Sequence, residues 1–141
     1  MKEQLLKQLR RDEGEVLSAY QDHLGFWTIG VGRLIDKRKG GGLSPEESEF
    51  LLNNDVDTRI NALEAAFPWF KGMDEARKGV LVNMSFQMGV KGLKAFKNTL
   101  ASVANGLYEK AAAQMLQSLW ASQTPERAKR LSEQMKTGEW Q

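Results

Sequence analysis

Two carboxylates and a hydroxyl stand close together near the start of the chain. Glu13 falls within Asp12-Glu13-Gly14, Asp22 lies nine residues further on, and Thr28 six beyond that, inside Gly25-Phe26-Trp27-Thr28-Ile29-Gly30-Val31-Gly32. Cleaving a glycosidic bond with water takes an acid to protonate the leaving oxygen and a base or nucleophile on the other side of the sugar ring. Two acids, with a hydroxyl to hold a water, supply those groups. Taken singly, each has a plainer reading: a solvated helix-end charge for Glu13, a turn former for Asp22, a strand residue for Thr28. Only the combination points to catalysis.

Nine extended residues span about 30 Å, so the two acids converge only if the chain folds back between them. Leu5, Leu6 and Leu9 recur at helical spacing and predict an amphipathic helix from about residue 2 to 12, with Gly14 as its stop signal. Glu13 then sits in the last turn, where a carboxylate faces the negative end of the helix dipole. Such a local conflict is expected at functional positions. Residues 16–21 and 26–32 read as two strands joined by Asp22-His23-Leu24-Gly25, with Asp first and Gly last as a type I turn prefers. His23 reads as a polar turn residue. Alternation places Trp27, Ile29 and Val31 on an expected core face and Phe26, Thr28, Gly30 and Gly32 on the other. There the two glycines leave the sheet bare beside Thr28, so that a ligand can lie against the backbone.

Arg33 to Gly42 is a polar, glycine-ending loop with room for a short third strand at its start, and Lys37-Arg38-Lys39 within it reads as solvated. Ser44-Pro45-Glu46-Glu47 is a strong helix start: an N-cap serine, proline at N1, and a glutamate at N3 that closes a capping box. Leu52, Val56, Ile60, Leu63 and Phe67 carry that helix toward Pro68, a rod of about 35 Å at 1.5 Å per residue. From Asp74 onward the pattern is helical throughout. Ala76, Val80, Leu81, Met84 and Met88 mark a buried helix stopping at Gly89. Short helices follow near 93–96 and 99–105, then one from Tyr108 to Leu119, and Thr124-Pro125 opens a last helix over about 125–135. Trp69, Trp120 and Trp140 read as packing residues. The expected fold is α+β, mainly α, a single domain over 1–141. A small antiparallel sheet lobe (about 13–43) is joined by a bridging helix (44–67) to a helical lobe (68–141, with helix 2–12).

Composition narrows the function classes. The chain has 141 residues, 41% apolar and 27% charged, which suits one globular unit. With no cysteine and a single histidine, neither a disulfide framework nor a thiolate or histidine-rich metal site is available, and no metal or other cofactor is implied. A net charge of +2, with the basic residues spread out, is far from a nucleic-acid footprint. No apolar run approaches the roughly 18 residues of a membrane span. Met1-Lys2-Glu3-Gln4 leads into a charged helix without the apolar core of a signal peptide, so synthesis in the cytoplasm is expected.

Asp12-Glu13-Gly14, Tyr20-x-Asp22 and the Gly25–Gly32 run, in this order and spacing, resemble the lysozymes of T-even bacteriophages, glycoside hydrolase family 24. Asn83-Met84-Ser85-Phe86-Gln87-Met88-Gly89 matches the same family. So do Trp120 with Gln123-Thr124-Pro125-Glu126-Arg127-Ala128-Lys129-Arg130, and Thr137-Gly138-Glu139-Trp140. The resemblance covers nearly the whole chain. It implies a phage endolysin: a monomeric muramidase that hydrolyses the β-1,4 bond between N-acetylmuramic acid and N-acetylglucosamine in bacterial peptidoglycan. It would act on the periplasmic wall after holin-type release from the host cytoplasm, and lyse the host. Carried over by position, Glu13 is the general acid, Asp22 the second carboxylate and Thr28 the residue that holds the water, with inversion implied. Arg127 matches the arginine that pairs with the catalytic glutamate. Leu34, Phe86 and Thr99 match sugar-contacting positions, and Gly30, Gly32 and Gln87 belong to the supporting motifs. Two departures stand out. Arg33 replaces the family's histidine, so the ion pair made there does not carry over, and the segment from Asp36 to Leu43 is much shorter.

Two rival functions share these features. A lytic transglycosylase needs one acid and no water, and Asp22 with Thr28 argues against it. A non-catalytic wall-binding module would be free to lose Glu13, Asp22 or Thr28, and none is lost.

Overall fold

The structure is a computed structural model that describes residues 2–31, 33–35 and 42–141. Gly32 and the basic loop Lys37-Arg38-Lys39 therefore lie outside the described residues. Packing divides the chain into two compact units, Met1–Asn53 and Asn54–Gln141.

In the first unit, helix α1 (Lys2–Glu13) ends where Gly14 donates its N–H to the Arg10 carbonyl at 3.0 Å. Gly14 has φ +75°, a left-handed value at which glycine alone carries no Cβ penalty, so the stop signal works as read. Strands β1 (Val16–Gln21), β2 (Trp27–Gly30) and β3 (Arg33–Leu34) form an antiparallel sheet in chain order. Tyr20 faces Thr28 across β1 and β2, and Thr28 faces Leu34 across β2 and β3, while the β1–β2 register shifts between Val16 and Tyr20. The third strand thus forms at the start of the polar loop.

Helix α2 (Pro45–Ala66) begins with the capping box in place: Glu47 N–H donates to Ser44 Oγ at 3.1 Å, and Ser44 N–H donates to Glu47 Oε1 at 3.2 Å. The boundary between the units falls inside this helix.

The second unit is helical. A 3₁₀ turn (Phe70–Gly72) leads into α3 (Glu75–Lys94), α4 (Lys97–Ala104), α5 (Tyr108–Leu116), α6 (Leu119–Gln123) and α7 (Pro125–Thr137). Its core is apolar and contains the fully buried Leu63, Phe70, Leu81, Met84, Met115 and Met135. Buried polar groups are satisfied: Ser132 Oγ donates to the Ala112 carbonyl at 2.8 Å, and Gln134 Nε2 to that of Ala76 at 2.6 Å. Arg77 lies over the Tyr108 ring at 3.9 Å and donates from Nε and Nη2 to the carbonyls of Met135 and Lys136, which holds the end of α7.

The α+β, mainly α architecture matches the sequence reading, with corrections of detail. Gly89 (φ +75°, ψ 166°) ends the first helical segment of α3 as its sequence predicts, and the short helix expected near 93–96 is the second segment, which follows the kink and closes at Lys94. The helix expected from Tyr108 to Leu119 is two helices, divided where Ser118 Oγ accepts from Ala121 N–H and donates to the Met115 carbonyl. Thr124 does not cap α7 with its side chain, because its hydroxyl turns back to the Trp120 carbonyl at 3.0 Å. Trp27, Ile29 and Val31 are half-buried, and among the described residues of the first unit Thr28 alone is buried. A sheet with strands of six, four and two residues is too small to cover an apolar face. Trp120 is buried as expected, but Trp140 is 67% exposed, with only its ring edge against Gly79.

A candidate active-site cleft

The turn after β1 positions the second acid. Asp22 N–H donates to the Phe26 carbonyl at 2.8 Å, and Gly25 N–H donates to the Asp22 carbonyl at 3.0 Å, closing a four-residue turn where the sequence predicts one. The Asp22 side chain then builds the turn a second time. Its Oδ1 accepts the N–H of Phe26 at 2.8 Å and of Leu24 at 2.9 Å. The Phe26 N–H above all holds the carboxyl below its ordinary value of 3.8. The Leu24 and Gly25 N–H groups and the field of His23 act in the same direction, against partial desolvation. Asp22 is therefore an ionised carboxylate across the whole neutral range.

Thr28 occupies the middle of the cross-strand row Tyr20–Thr28–Leu34. It is 5% exposed, and its Oγ1 donates to the Phe26 carbonyl at 3.2 Å. With its proton so committed, the hydroxyl has its lone pairs free to accept from a water. Glu13, the last residue of α1, is exposed, and its side chain makes no hydrogen bond or ion pair among the described residues. Gly30 has φ +69°, and a Cβ built on it would meet nothing within 4 Å, so the sheet is open there as expected.

These residues share one cleft. Glu13, Asp22, Thr28 and Leu34 line a space of about 680 Å³ together with Tyr20, Gln21, His23 and Phe26. The structure thus brings together four of the site residues expected from the sequence. Tyr20 and His23 had no assigned place in it. The signal for Tyr20 was available: it lies two residues before Asp22 on a strand, hence on the face that meets Thr28.

Arg33, the departure from the family pattern, has a partner of its own. Its Nε donates to Glu47 Oε2 at 2.8 Å, tying β3 to the first turn of α2. That bond, more than the Ser44 contacts, holds the Glu47 carboxyl below its ordinary value.

The remaining expected residues belong to the second unit. Asn83 Oδ1 accepts from Arg127 Nη2 at 2.7 Å and Nε at 2.9 Å, and the Asn83 carbonyl accepts from Nη2 at 3.1 Å. Asn83 is a further residue without an assigned role in the sequence reading; it precedes Phe86 by three and Gln87 by four, one helical face. Gln87 Oε1 accepts from Trp120 Nε1 at 2.8 Å. Phe86 is half-buried beneath Arg59. Thr99 is 4% exposed on α4, at the edge of a separate cleft of about 400 Å³ that it lines with Asn98, Gln114 and Trp120.

A mainly helical chain with a small antiparallel sheet, carrying two acids and a buried threonine on one cleft, has the make-up of a lysozyme-like glycosidase. The chain belongs to the phage lysozyme family, whose sequence profile matches residues 10–136, a span that includes every site residue discussed. It is accordingly a cell-wall hydrolase of the muramidase type. It is 32% identical over 156 residues to probable T4-type lysozyme 2 of Dictyostelium discoideum and 31% identical to probable T4-type lysozyme 1 of the same organism, covering 92% of both chains in each case. It is also 31% identical over 159 residues to the pre-baseplate central spike protein Gp5 of Enterobacteria phage T4, covering 95% of this chain and 28% of that one. No helix among the described residues is long and apolar enough to cross a membrane.

Proposed function

We propose that this protein is an endolysin that hydrolyses the β-1,4 bond between N-acetylmuramic acid and N-acetylglucosamine in peptidoglycan, and so lyses a host bacterium. The observation that carries this reading is the convergence of Glu13, Asp22 and Thr28 on one cleft. Glu13 protonates the leaving oxygen. Asp22, ionised at neutral pH and with Oδ1 bound into its turn, takes a proton from the attacking water through Oδ2. Thr28 holds that water, and attack from the face opposite the leaving group inverts the anomeric centre. Arg127, fixed by Asn83, is a supporting residue. Leu34, Phe86 and Thr99 contact the saccharide, and Gly30 and Gln87 shape the surfaces around them. The protein acts as a monomer without a cofactor, on the periplasmic wall after release from the host cytoplasm.

The test is digestion of purified peptidoglycan by the wild type and Glu13→Gln, with products read by mass spectrometry and by NMR of the new anomeric centre. The expected result is reducing muramic acid ends, initially α, from the wild type alone. Anhydromuramic acid would assign the chain to the lytic transglycosylases, undiminished cleavage by Glu13→Gln would remove Glu13 from its role, and binding without cleavage by the wild type would make the chain a wall-binding module.

A further inference from the structure

The cleft of the first unit holds a hydroxyl that the proposed reaction leaves unused. β1 is exposed along its length except at Tyr20, which is half-buried. Tyr20 faces Thr28 directly across the antiparallel pair, so the two side chains rise from one face of the sheet with Cβ atoms about 5 Å apart. Asp22, two residues on, lines the same cleft. A buried tyrosine hydroxyl ordinarily finds a partner. Among the described residues the Tyr20 hydroxyl has none.

The attacking water supplies one. A held water makes about three hydrogen bonds. Thr28 Oγ1 gives its own proton to the Phe26 carbonyl and Asp22 is ionised, so both groups accept, and each takes one of the water's two protons. Two lone pairs of the water remain. One must point at the anomeric carbon, and a donor on the other fixes which one does. Of the other donors that line the cleft, Gln21 pairs with Trp27 on the alternate side of the strands, and His23 lies out on the turn. Tyr20 alone stands opposite Thr28. We propose that Tyr20 is a positioning residue for the hydrolysis, its phenol O–H donating to the water that Thr28 and Asp22 hold. The water oxygen bonds to the anomeric carbon and one of its protons passes to Asp22. The glycosidic bond breaks, and its electron pair stays on the leaving oxygen, which takes the Glu13 proton. The Tyr20 proton remains on its own oxygen throughout. This rests on the proposed hydrolysis and adds a third hold on its water.

The experiment measures kcat and KM for the wild type, Tyr20→Phe, Thr28→Val and the double variant on soluble, uncross-linked glycan strands of peptidoglycan. Circular dichroism melting checks that each is folded at the assay temperature. Tyr20→Phe keeps the ring and loses only the hydroxyl. It is expected to lower kcat about tenfold, the effect of one lost hydrogen bond, with KM unchanged. Thr28→Val alone should lose about 10²-fold. The double variant should lose about the same 10²-fold, because a water already misplaced cannot be misplaced again. Independent losses that multiply to about 10³-fold would overturn the assignment. So would full kcat, or a raised KM with kcat intact, in Tyr20→Phe. If the wild type releases reducing ends and Tyr20→Phe matches it, only the role of Tyr20 falls. If the wild type releases none, the hydrolytic reading fails and this role with it.

Discussion

Asp22 builds its own turn and, in the proposed reaction, is also the base; Asn and Ala substitutions tell the two roles apart. In the turn, Oδ1 accepts two backbone N–H groups, at 2.8 and 2.9 Å. An asparagine oxygen at the same place accepts both, so Asp22→Asn keeps the hairpin and removes only the charge. Asp22→Ala removes both and leaves the Leu24 and Phe26 N–H groups to water. A positioned general base contributes about 10²- to 10⁴-fold, so both variants should lose at least a hundredfold in clearing of permeabilised Gram-negative cells. The unfolding temperature should rank wild type, then Asn, then Ala. The pH dependence adds a sign. The folded pKa lies below the ordinary 3.8, so the stability contributed by the carboxylate is full above that value and is lost as pH falls through the folded pKa. The thermal gap between wild type and Asp22→Asn should therefore close on acidification below about 3.8, and not on raising the pH. If Asp22→Asn retained clearing within a fewfold of the wild type, the base assignment would be wrong. If Asp22→Ala melted with Asp22→Asn, the turn would not depend on the side chain.

Two further substitutions probe the site and its support. Thr28→Ser keeps the hydroxyl and should retain most of the rate, whereas Thr28→Val keeps the buried shape and should lose about 10²-fold, the effect of a misplaced water; equal turnover by Val and Ser would remove Thr28 from the mechanism. Met84→Ala empties a fully buried position of the second unit and should destabilise by about 2–5 kcal/mol in urea unfolding; a loss below about 1 kcal/mol would contradict the packing described.

The features legible in the sequence are those that a few neighbouring residues decide. Ser44 with Glu47 made the start of α2 readable, Asp22 with Gly25 the turn, and Gly14 the end of α1, because each is closed by a bond within three or four residues. The breaks around α6 were not readable. Gln117, Ser118 and Leu119 are all compatible with a continuous helix, and the division arises because the Ser118 hydroxyl competes with the backbone for its own partners. Thr124-Pro125 carried a cap signature that the structure does not use: the short α6 leaves the Trp120 carbonyl within reach of the Thr124 hydroxyl. Alternation along β2 separated the two faces correctly but not their burial, since that depends on what covers each face. Nor does periodicity bear on Arg33 and Glu47, fourteen residues apart, which the fold brings within hydrogen-bond reach.

The two units are held by different forces, and this bears on how the site can be tested. The second unit rests on buried apolar side chains. In the first, Thr28 alone among the described residues is buried, and the cleft keeps its shape through polar contacts: the Asp22 turn, the Ser44–Glu47 box and the Arg33–Glu47 bond. Polar contacts at an exposed surface contribute modestly to global stability, so a cleft built from them can lose local order while the molecule as a whole stays folded. A catalytic side chain that also builds its own turn then invites a false inference. Asp22→Ala can abolish lysis through disorder of the hairpin even if the carboxylate does no chemistry, with only a modest fall in the unfolding temperature. Only a variant that keeps the hydrogen bonds and removes the charge separates the two explanations, and for this residue the structure identifies asparagine as that variant.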